Sequence, residues 1–380
     1  MDSILLASLI AFLITFLSIP VLIRLAEIKH LYDLPDDRKH HHSPVPTLGG
    51  VGIFAGFVVA VLFVVPVGIH PELQYLLLAF LIIFFLGLKD DIVDLTPLKK
   101  LIGQLVAAGI LIFKGGLLIS GMHGFLGIHE LSPVWSYIFT FFTFIVITNS
   151  FNLIDGVDGL AGSLGILSTL CFGAFFLFSG ELVFSILSFA LAGSILAFLI
   201  YNVSPAKIFM GDTGSLLVGI VNAILVVKFI EIASQPNAVL NLPSAPAIGF
   251  AVLFIPLFDT LRIFSFRILQ RRSPFSPDRN HVHHLLLDKG LNHPSVTAFL
   301  LLVNIVVILL VYTFRFLGNT ALLISLITLG FSVIAILIYS GKNKKTGLAI
   351  KSDLSEKSKD LKVINLQNSS ESAAVNDSTS

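Results

Sequence analysis

An all-α protein that crosses a membrane about eleven times is the fold this chain predicts, and three observations carry that reading. Of its 380 residues, 55% are hydrophobic and only 12% charged, whereas a soluble chain carries about a quarter charged residues. Its mean hydropathy is +0.94. Apolar runs such as Ile4–Leu22, Val51–Val67 and Leu73–Leu88 approach the roughly 20 residues that a spanning helix needs.

Spans are predicted over 3–23, 49–69, 73–88, 101–121, 134–150, 160–179, 182–201, 215–232, 246–267, 296–316 and 319–340. The first follows Met1-Asp2-Ser3, which lacks a basic stretch, and no small-residue cleavage site follows Ile19-Pro20. It therefore reads as a retained helix and not a secretory signal. The third runs directly into Asp90-Asp91, and Lys99-Lys100 introduce the fourth. Between the fourth and fifth, Ser120–Pro133 holds Gly121, Gly124 and Gly127 and suits a small hairpin. Asp212 immediately precedes the eighth span, and a basic, histidine-rich loop separates the ninth from the tenth. Residues 1–340 read as one transmembrane domain. Residues 341–380, rich in Ser, Asn and Lys, are expected to form a disordered tail.

Charge orients these spans. Twenty-one of the 24 lysine and arginine residues fall on one side, leaving only Lys114, Lys228 and Arg315 within spans or toward the other. The positive-inside rule makes the basic side cytoplasmic, with the N-terminus outside and the C-terminus inside. Cys171 is the single cysteine, which excludes an internal disulfide and a thiolate metal cluster. No internal repeat is evident, and no nucleic-acid partner is expected.

Every strongly polar stretch then lies on the cytoplasmic face, beside lipid, where ionisable groups are costly to keep. Asp90 and Asp91 are adjacent, so on a helix they face different ways. One can enter a cavity as an acid/base or metal-facing group while the other meets water or a basic neighbour. Asn149, Asn152 and Asp155 recur at a spacing of three, placing them along one helical face. Asp155-Gly156 and Asp158-Gly159 suit turns that bring backbone N–H groups near a ligand. Asp212 sits in Gly211-Asp212-Thr213-Gly214-Ser215 ahead of a helix N-terminus, which favours an anion, although Thr213 or Ser215 also suits a plain N-cap. Magnesium takes one or two hard protein oxygens with phosphates and waters completing its shell; Asp212 with Asn152 suits it. His281, His283 and His284 raise zinc, but with Arg279 nearby and no cysteine they fit phosphate or a proton better. Arg38-Lys39 beside His40 reads the same way. Asp259 and Arg262, three apart, read as a structural ion pair.

Together these residues resemble the polyprenyl-phosphate N-acetylhexosamine-1-phosphate transferase family, the group that includes WecA, TagO and MraY. The resemblance rests on Asp36-Asp37-Arg38-Lys39-His40 leading to Pro44–Gly50, on Asp90-Asp91 with Lys100-Leu101, and on 149–162, 202–215 and 278–290. It spans nearly all the chain to about residue 340. What it implies is transfer of N-acetylhexosamine 1-phosphate from a UDP-sugar to undecaprenyl phosphate at the inner face of the bacterial cell membrane. UMP is released and a lipid-diphosphate sugar remains, the first step of a cell-surface polysaccharide. It further implies Asp212 as magnesium ligand with Asn152 second, manganese being able to substitute. Asp90 and Asp91 would position or deprotonate the lipid phosphate, and Lys100 would contact phosphate. Asn149, Asp155 and Asp158 would hold the nucleotide sugar, His281, His283 and His284 the diphosphate or sugar, with Arg279 beside them. Arg38 and His40 would meet the lipid phosphate.

The stretch His281-Val282-His283-His284 resembles the WecA/TagO branch, and three consecutive histidines would resemble the MraY branch, so UDP-N-acetylglucosamine is favoured over UDP-muramoyl-pentapeptide. A cation-coupled transporter is the rival from another class; it would place ionisable groups at mid-bilayer among broken helices, while these acids gather at one border. A homodimer is one assembly that this reading admits.

Overall fold

The computed structural model describes residues 1–29, 32–33, 45–235, 237–271, 281–337 and 339. It divides into two units, Met1–Ile327 and Thr328–Ser380, the second being helical over its described residues 328–337. In chain order the helices are α1 (Asp2–Lys29), α2 (Gly49–Val64), α3 (Leu73–Ile92), α4 (Pro97–Phe113), α5 (Pro133–Ile154), α6 (Leu160–Ser179), α7 (Leu182–Asn202), α8 (Gly211–Ala233), α9 (Ala245–Val252), α10 (Phe254–Leu269), α11 (Val282–Leu287) and α12 (His293–Thr313). A last helix, α13, lies within Arg315–Leu337, after a 3-10 turn at its start. Two short antiparallel pairs complete the described elements: β1 (Tyr32–Asp33) with β2 (Val45–Pro46), and β3 (Gly121–Phe125) with β4 (Ile128–Glu130).

A helix occupies part of each of the eleven predicted segments. Seven are long and apolar enough to cross a membrane, namely α1, α5, α6, α7, α8, α12 and α13; the pair α9–α10 would make an eighth. Burial ranks them. In α7 and α8, 78% of the apolar window is buried, against 28% in α1, so α7 and α8 are the bundle's centre. On α1 the small and branched residues Ala7, Ala11, Thr15 and Ile19 are buried while Leu5, Leu9, Leu13 and Leu17 stay exposed. That apolar exposure is what a lipid-facing stripe requires.

Three expectations need correction. The second segment stops at Val64, short of residue 69, because Pro66 excludes helix from the residue before it. The fourth stops at Phe113, where Gly115 and Gly116 follow and Gly116 takes φ +69; the chain then enters the β3–β4 hairpin suggested by its glycines. The ninth is no continuous rod. It is broken at Leu253 between α9 and α10, which bend by 86°.

Asn304 of α12, fully buried, holds that break. Its carbonyl accepts the Ile255 N–H at 3.0 Å, and its amide donates to Val252 O at 3.1 Å and Ala251 O at 3.4 Å. Backbone groups freed at a break in lipid need such a partner. Asn304→Leu is therefore expected to lose about 2–4 kcal/mol of stability, at about 1–3 kcal/mol for each orphaned buried group. Thermal unfolding in detergent, followed by thiol labelling of Cys171, measures it; an unchanged midpoint would mean the bend is held by packing alone.

Beside the bend, an apolar cavity of about 360 Å³ opens between α5, α8 and the α9–α10 pair. Ile147, Val226, Leu253, Leu257 and Phe264 line it, together with Met122 of the hairpin. Asn319 and Thr320 anchor that hairpin: Asn319 donates to His123 O at 2.7 Å, and the Thr320 hydroxyl accepts the Leu126 N–H at 2.8 Å.

Candidate active site

The N-terminus of α8 is the organising point. Its first four N–H groups have no partners within the helix, and the short, apolar Gly87 lets α3 come close enough to supply one. A Cβ on Gly87 would lie 2.5 Å from Thr213 Cα. Gly50 of α2 is equally tight, its Cβ falling 2.1 Å from Gly214 N. Across this contact the Asp91 carboxylate accepts the N–H of Asp212 at 2.7 Å, the N–H of Thr213 at 3.0 Å and the Thr213 hydroxyl. Asp91 thus caps α8 from another helix and meets its dipole with a negative charge. The α8 N-terminus is consequently filled by a protein anion, not left open to a phosphate, and neither Thr213 nor Ser215 serves as its N-cap.

Asp90 faces the other way. One oxygen accepts the Leu95 N–H at 2.6 Å, and the other pairs with the Lys100 ammonium. Lys100 in turn contacts Asp212 Oδ2 at 2.6 Å. Asn152 of α5 donates to Asp212 Oδ1 at 2.8 Å and to Ser215 Oγ at 3.0 Å. Four helices, α3, α4, α5 and α8, therefore meet on one carboxylate. Exposure decides which members a ligand can reach: the Lys100 and Asp212 side chains keep 26% and 27% of their surface, Asp90 only 6%. Asn149, one turn before Asn152, is taken up by Gln104 in a reciprocal amide pair with distances of 2.7 and 3.2 Å.

Beyond α5, the loop 155–159 carries Asp155, whose carboxyl makes no hydrogen bond among the described residues. Burial, reinforced by the charges of Asp212, Asp91 and Asp158, pushes it up to about 8. Asp158 behaves oppositely. Burial works to raise it, but His293 and the Ala206 N–H outweigh that and hold it below the usual range.

Gly156 of the same loop lies against His283, where a Cβ would meet the ring Nε2 at 2.5 Å. His281, His283 and His284 come together, with ring centroids of 281 and 283 at 5.5 Å and of 283 and 284 at 4.3 Å. Their surroundings differ. His281 is buried and bonded through Nδ1 to Asp259 at 2.7 Å, and Asp259 also takes Arg262 at 3.0 Å and the Val282 N–H at 3.0 Å. The Asp259–Arg262 ion pair read from spacing thus extends to a third member, which ties α11 to α10. His283 is buried with Nδ1 lacking a hydrogen-bond partner among the described residues. Burial, then neighbouring His284, lowers it to about 3, so it is neutral near pH 7. Arg38, His40 and Arg279 lie outside the described residues.

The donor set suits magnesium better than zinc. Among the described residues, no group of three or more His, Cys, Asp or Glu converges as a ready-made metal site. Asp212 offers a part-exposed hard carboxylate, with the Asn152 amide against it. One or two such protein oxygens are what magnesium takes when substrate phosphates and waters fill the remaining positions. Gln104 and His293 also belong to the surroundings of this site and lie in no stretch that the sequence singles out. Gln104 lies one helical turn after Lys100, and that spacing is the one signal that points to it.

Fold and site define an integral membrane protein whose helix ends gather carboxylates, amides, a lysine and histidines around one polar centre. Residues 73–230 match glycosyl transferase family 4. The chain is 32% identical over 304 residues to the probable undecaprenyl-phosphate N-acetylglucosaminyl 1-phosphate transferase of Bacillus subtilis, covering 78% of this chain and 82% of that protein. It is 33% identical over 324 residues to the decaprenyl-phosphate N-acetylglucosaminephosphotransferase of Mycobacterium leprae, covering 78% and 80%. To the undecaprenyl-phosphate alpha-N-acetylglucosaminyl 1-phosphate transferase of Escherichia coli K12 it is 29% identical, covering 77% and 78%. The chain belongs to glycosyl transferase family 4, among the polyprenyl-phosphate N-acetylglucosaminyl 1-phosphate transferases.

Proposed function

We propose that this protein transfers N-acetylglucosamine 1-phosphate from UDP-N-acetylglucosamine to undecaprenyl phosphate, with magnesium bound at Asp212. The observation that carries this is the meeting of Asp90, Lys100, Asn152 and Asp212 at the ends of four apolar helices. A lipid-borne phosphate and a water-soluble nucleotide sugar can reach one another at such a border. An oxygen of the lipid phosphate forms a bond to the β-phosphorus of the UDP-sugar. The bond from that phosphorus to the bridging oxygen breaks, and UMP leaves with the electron pair.

Phosphoryl transfer asks a protein mainly for positioning and charge. Magnesium, when bound, offsets the negative charge of the diphosphate. Lys100, part-exposed beside Asp212, adds the protein's own cation next to the reacting phosphates, while Asp90 keeps that lysine aimed. Asp155, raised by burial and with no hydrogen bond to its carboxyl among the described residues, is the group able to exchange a proton or meet the sugar. His283, neutral, supplies a hydrogen bond instead of a charge. The apolar cavity along the α9–α10 bend is lined by the hairpin and also by Thr260, the neighbour of Asp259, a lining that suits the polyprenyl chain whose phosphate enters the site. Eleven crossings of the bacterial inner membrane, with the basic side and the site cytoplasmic, complete the reading.

Purified protein in detergent, given undecaprenyl phosphate, magnesium and a panel of UDP-sugars, tests this. Release of UMP is expected only when both substrates and the cation are present, with UDP-N-acetylglucosamine turned over fastest. Preference for UDP-MurNAc-pentapeptide would overturn the sugar assignment, and no UMP from any donor would overturn the reaction.

A further inference from the structure

We infer that Asn319 is a positioning residue for the lipid substrate: by tying the β3–β4 hairpin to the start of α9, it sets how the apolar cavity takes a long polyprenyl tail. This rests on the transfer reaction and on the reading of the cavity proposed above. Asn319, only 4% exposed, stands in the first turn of α13. Its amide donates to His123 O of the hairpin at 2.7 Å and to Pro243 O at 3.1 Å. Its carbonyl accepts the Ala247 N–H of α9 at 3.1 Å. Both amide hydrogens and the carbonyl are thus used, on two separate elements. Ser244, between the two contacts at α9, donates to Arg315 O at 2.6 Å and fastens the same corner. Thr320, the next residue, holds the hairpin a second time, its hydroxyl meeting Gly124 O at 3.2 Å and the Leu126 N–H at 2.8 Å.

What these bonds join is the cavity wall. Met122 and Phe125 of the hairpin, Pro246 and Phe250 of α9 and Leu323 of α13 all line it, and Leu323 lies one helical turn after Asn319. The hairpin needs the support. His123 and Leu126 take φ +47 and +51, the left-handed region that is unfavourable for a residue with a Cβ. The carbonyl of His123 and the N–H of Leu126 are the very groups that Asn319 and Thr320 bind. Released from them, the hairpin relaxes and takes Met122 and Phe125 out of the wall. Asn319 is also remote from the phosphates. Asp212 and Ala233 are about 30 Å apart along α8, and Ala233 O accepts the N–H of Leu242, the neighbour of Pro243. An effect of Asn319 on lipid but not on nucleotide therefore runs through the cavity.

Isothermal calorimetry on the full-length protein in detergent, with magnesium present, tests this with three ligands: undecaprenyl phosphate, farnesyl phosphate and UDP-N-acetylglucosamine. Farnesyl phosphate carries the same headgroup on a short prenyl tail. Asn319→Ala is expected to weaken undecaprenyl phosphate about tenfold, the scale of one lost anchoring contact. Its affinity for the other two ligands should stay within about twofold of wild type. Steady-state kinetics should show the same split, with KM for undecaprenyl phosphate raised and kcat kept, the mark of lost ground-state binding. A general loosening of the fold would instead weaken all three ligands and count against positioning. Equal weakening of the two lipid phosphates would put the effect at the headgroup and overturn the proposal, as would wild-type affinity throughout. Should Asn319→Ala not fold, Thr320→Val decides. It keeps Asn319 and removes only the hydroxyl at the hairpin, with an expected loss of about threefold for undecaprenyl phosphate alone; unchanged binding there would end the proposal. Wild type that binds undecaprenyl phosphate but releases no UMP would refute the transfer reaction, and the binding comparison would still judge Asn319. Wild type that does not bind undecaprenyl phosphate would overturn the cavity reading and this inference together.

Discussion

Asp212→Ala is expected to lower UMP release by about 1000-fold or more, while the protein still inserts and folds. The scale follows from removing one group aimed at developing charge, which typically costs 100- to 1000-fold. Asp212 is also the side chain on which others converge. Lys100 contacts one of its oxygens and Asn152 the other, at 2.6 and 2.8 Å. Without it, Lys100 keeps only Asp90, and the magnesium proposed to bind here loses its carboxylate. Folding should survive because Asp91 caps the backbone N–H of residue 212, and an alanine there offers the same N–H. Asp212→Asn is the sharper companion: it keeps the size and the contact with Asn152 but removes the charge, and it should be nearly as inactive. UMP release within tenfold of wild type in Asp212→Ala, at matched thermal midpoint, would remove Asp212 from the centre of the reaction.

Asp91→Ala should behave differently, and the contrast shows how far the sequence could be read. Adjacency required that Asp90 and Asp91 point apart, and it could not say which of them meets the ligand. The answer depends on α8, more than a hundred residues later, whose N–H groups bind Asp91. Spacing groups Asn149 with Asn152, yet its amide is spent on Gln104, a residue of an apolar run marked only by its distance from Lys100. Asp158-Gly159 reads as a turn, and nothing in that pair points to His293 and Ala206, its partners in other elements. The helices were legible because lipid demands long apolar runs, and the family was legible because its polar stretches recur together. The break at Leu253 was hidden. Apolar residues continue through it, and the side chain that satisfies it, Asn304, stands fifty residues away. What escapes the sequence here is partner choice across the bundle, which no periodicity encodes.

Gly87→Ala should reach the Asp212 carboxylate through the backbone. Added to this position, a Cβ would lie 2.5 Å from Thr213 Cα, 2.6 Å from Thr213 N and 2.8 Å from Asp212 C. All three are backbone atoms, so no side chain can turn aside and α3 must separate from α8. Overpacking of this kind costs about 1–3 kcal/mol. The separation also draws Asp91 off the α8 N-terminus and moves Asp212 from Lys100 and Asn152, with an expected loss of about 100-fold in rate. Gly109→Ala is the control within the same bundle. Its Cβ would meet only the Phe141 ring, at 3.8 and 3.9 Å, an ordinary contact, and alanine favours helix over glycine by about 1 kcal/mol. UMP release and thermal midpoint should therefore fall together in Gly87→Ala and hold or rise in Gly109→Ala. Equal rates in the two variants would mean that the close approach of α3 to α8 does not set the position of Asp212, and the site would then owe its geometry to Lys100 and Asn152 alone.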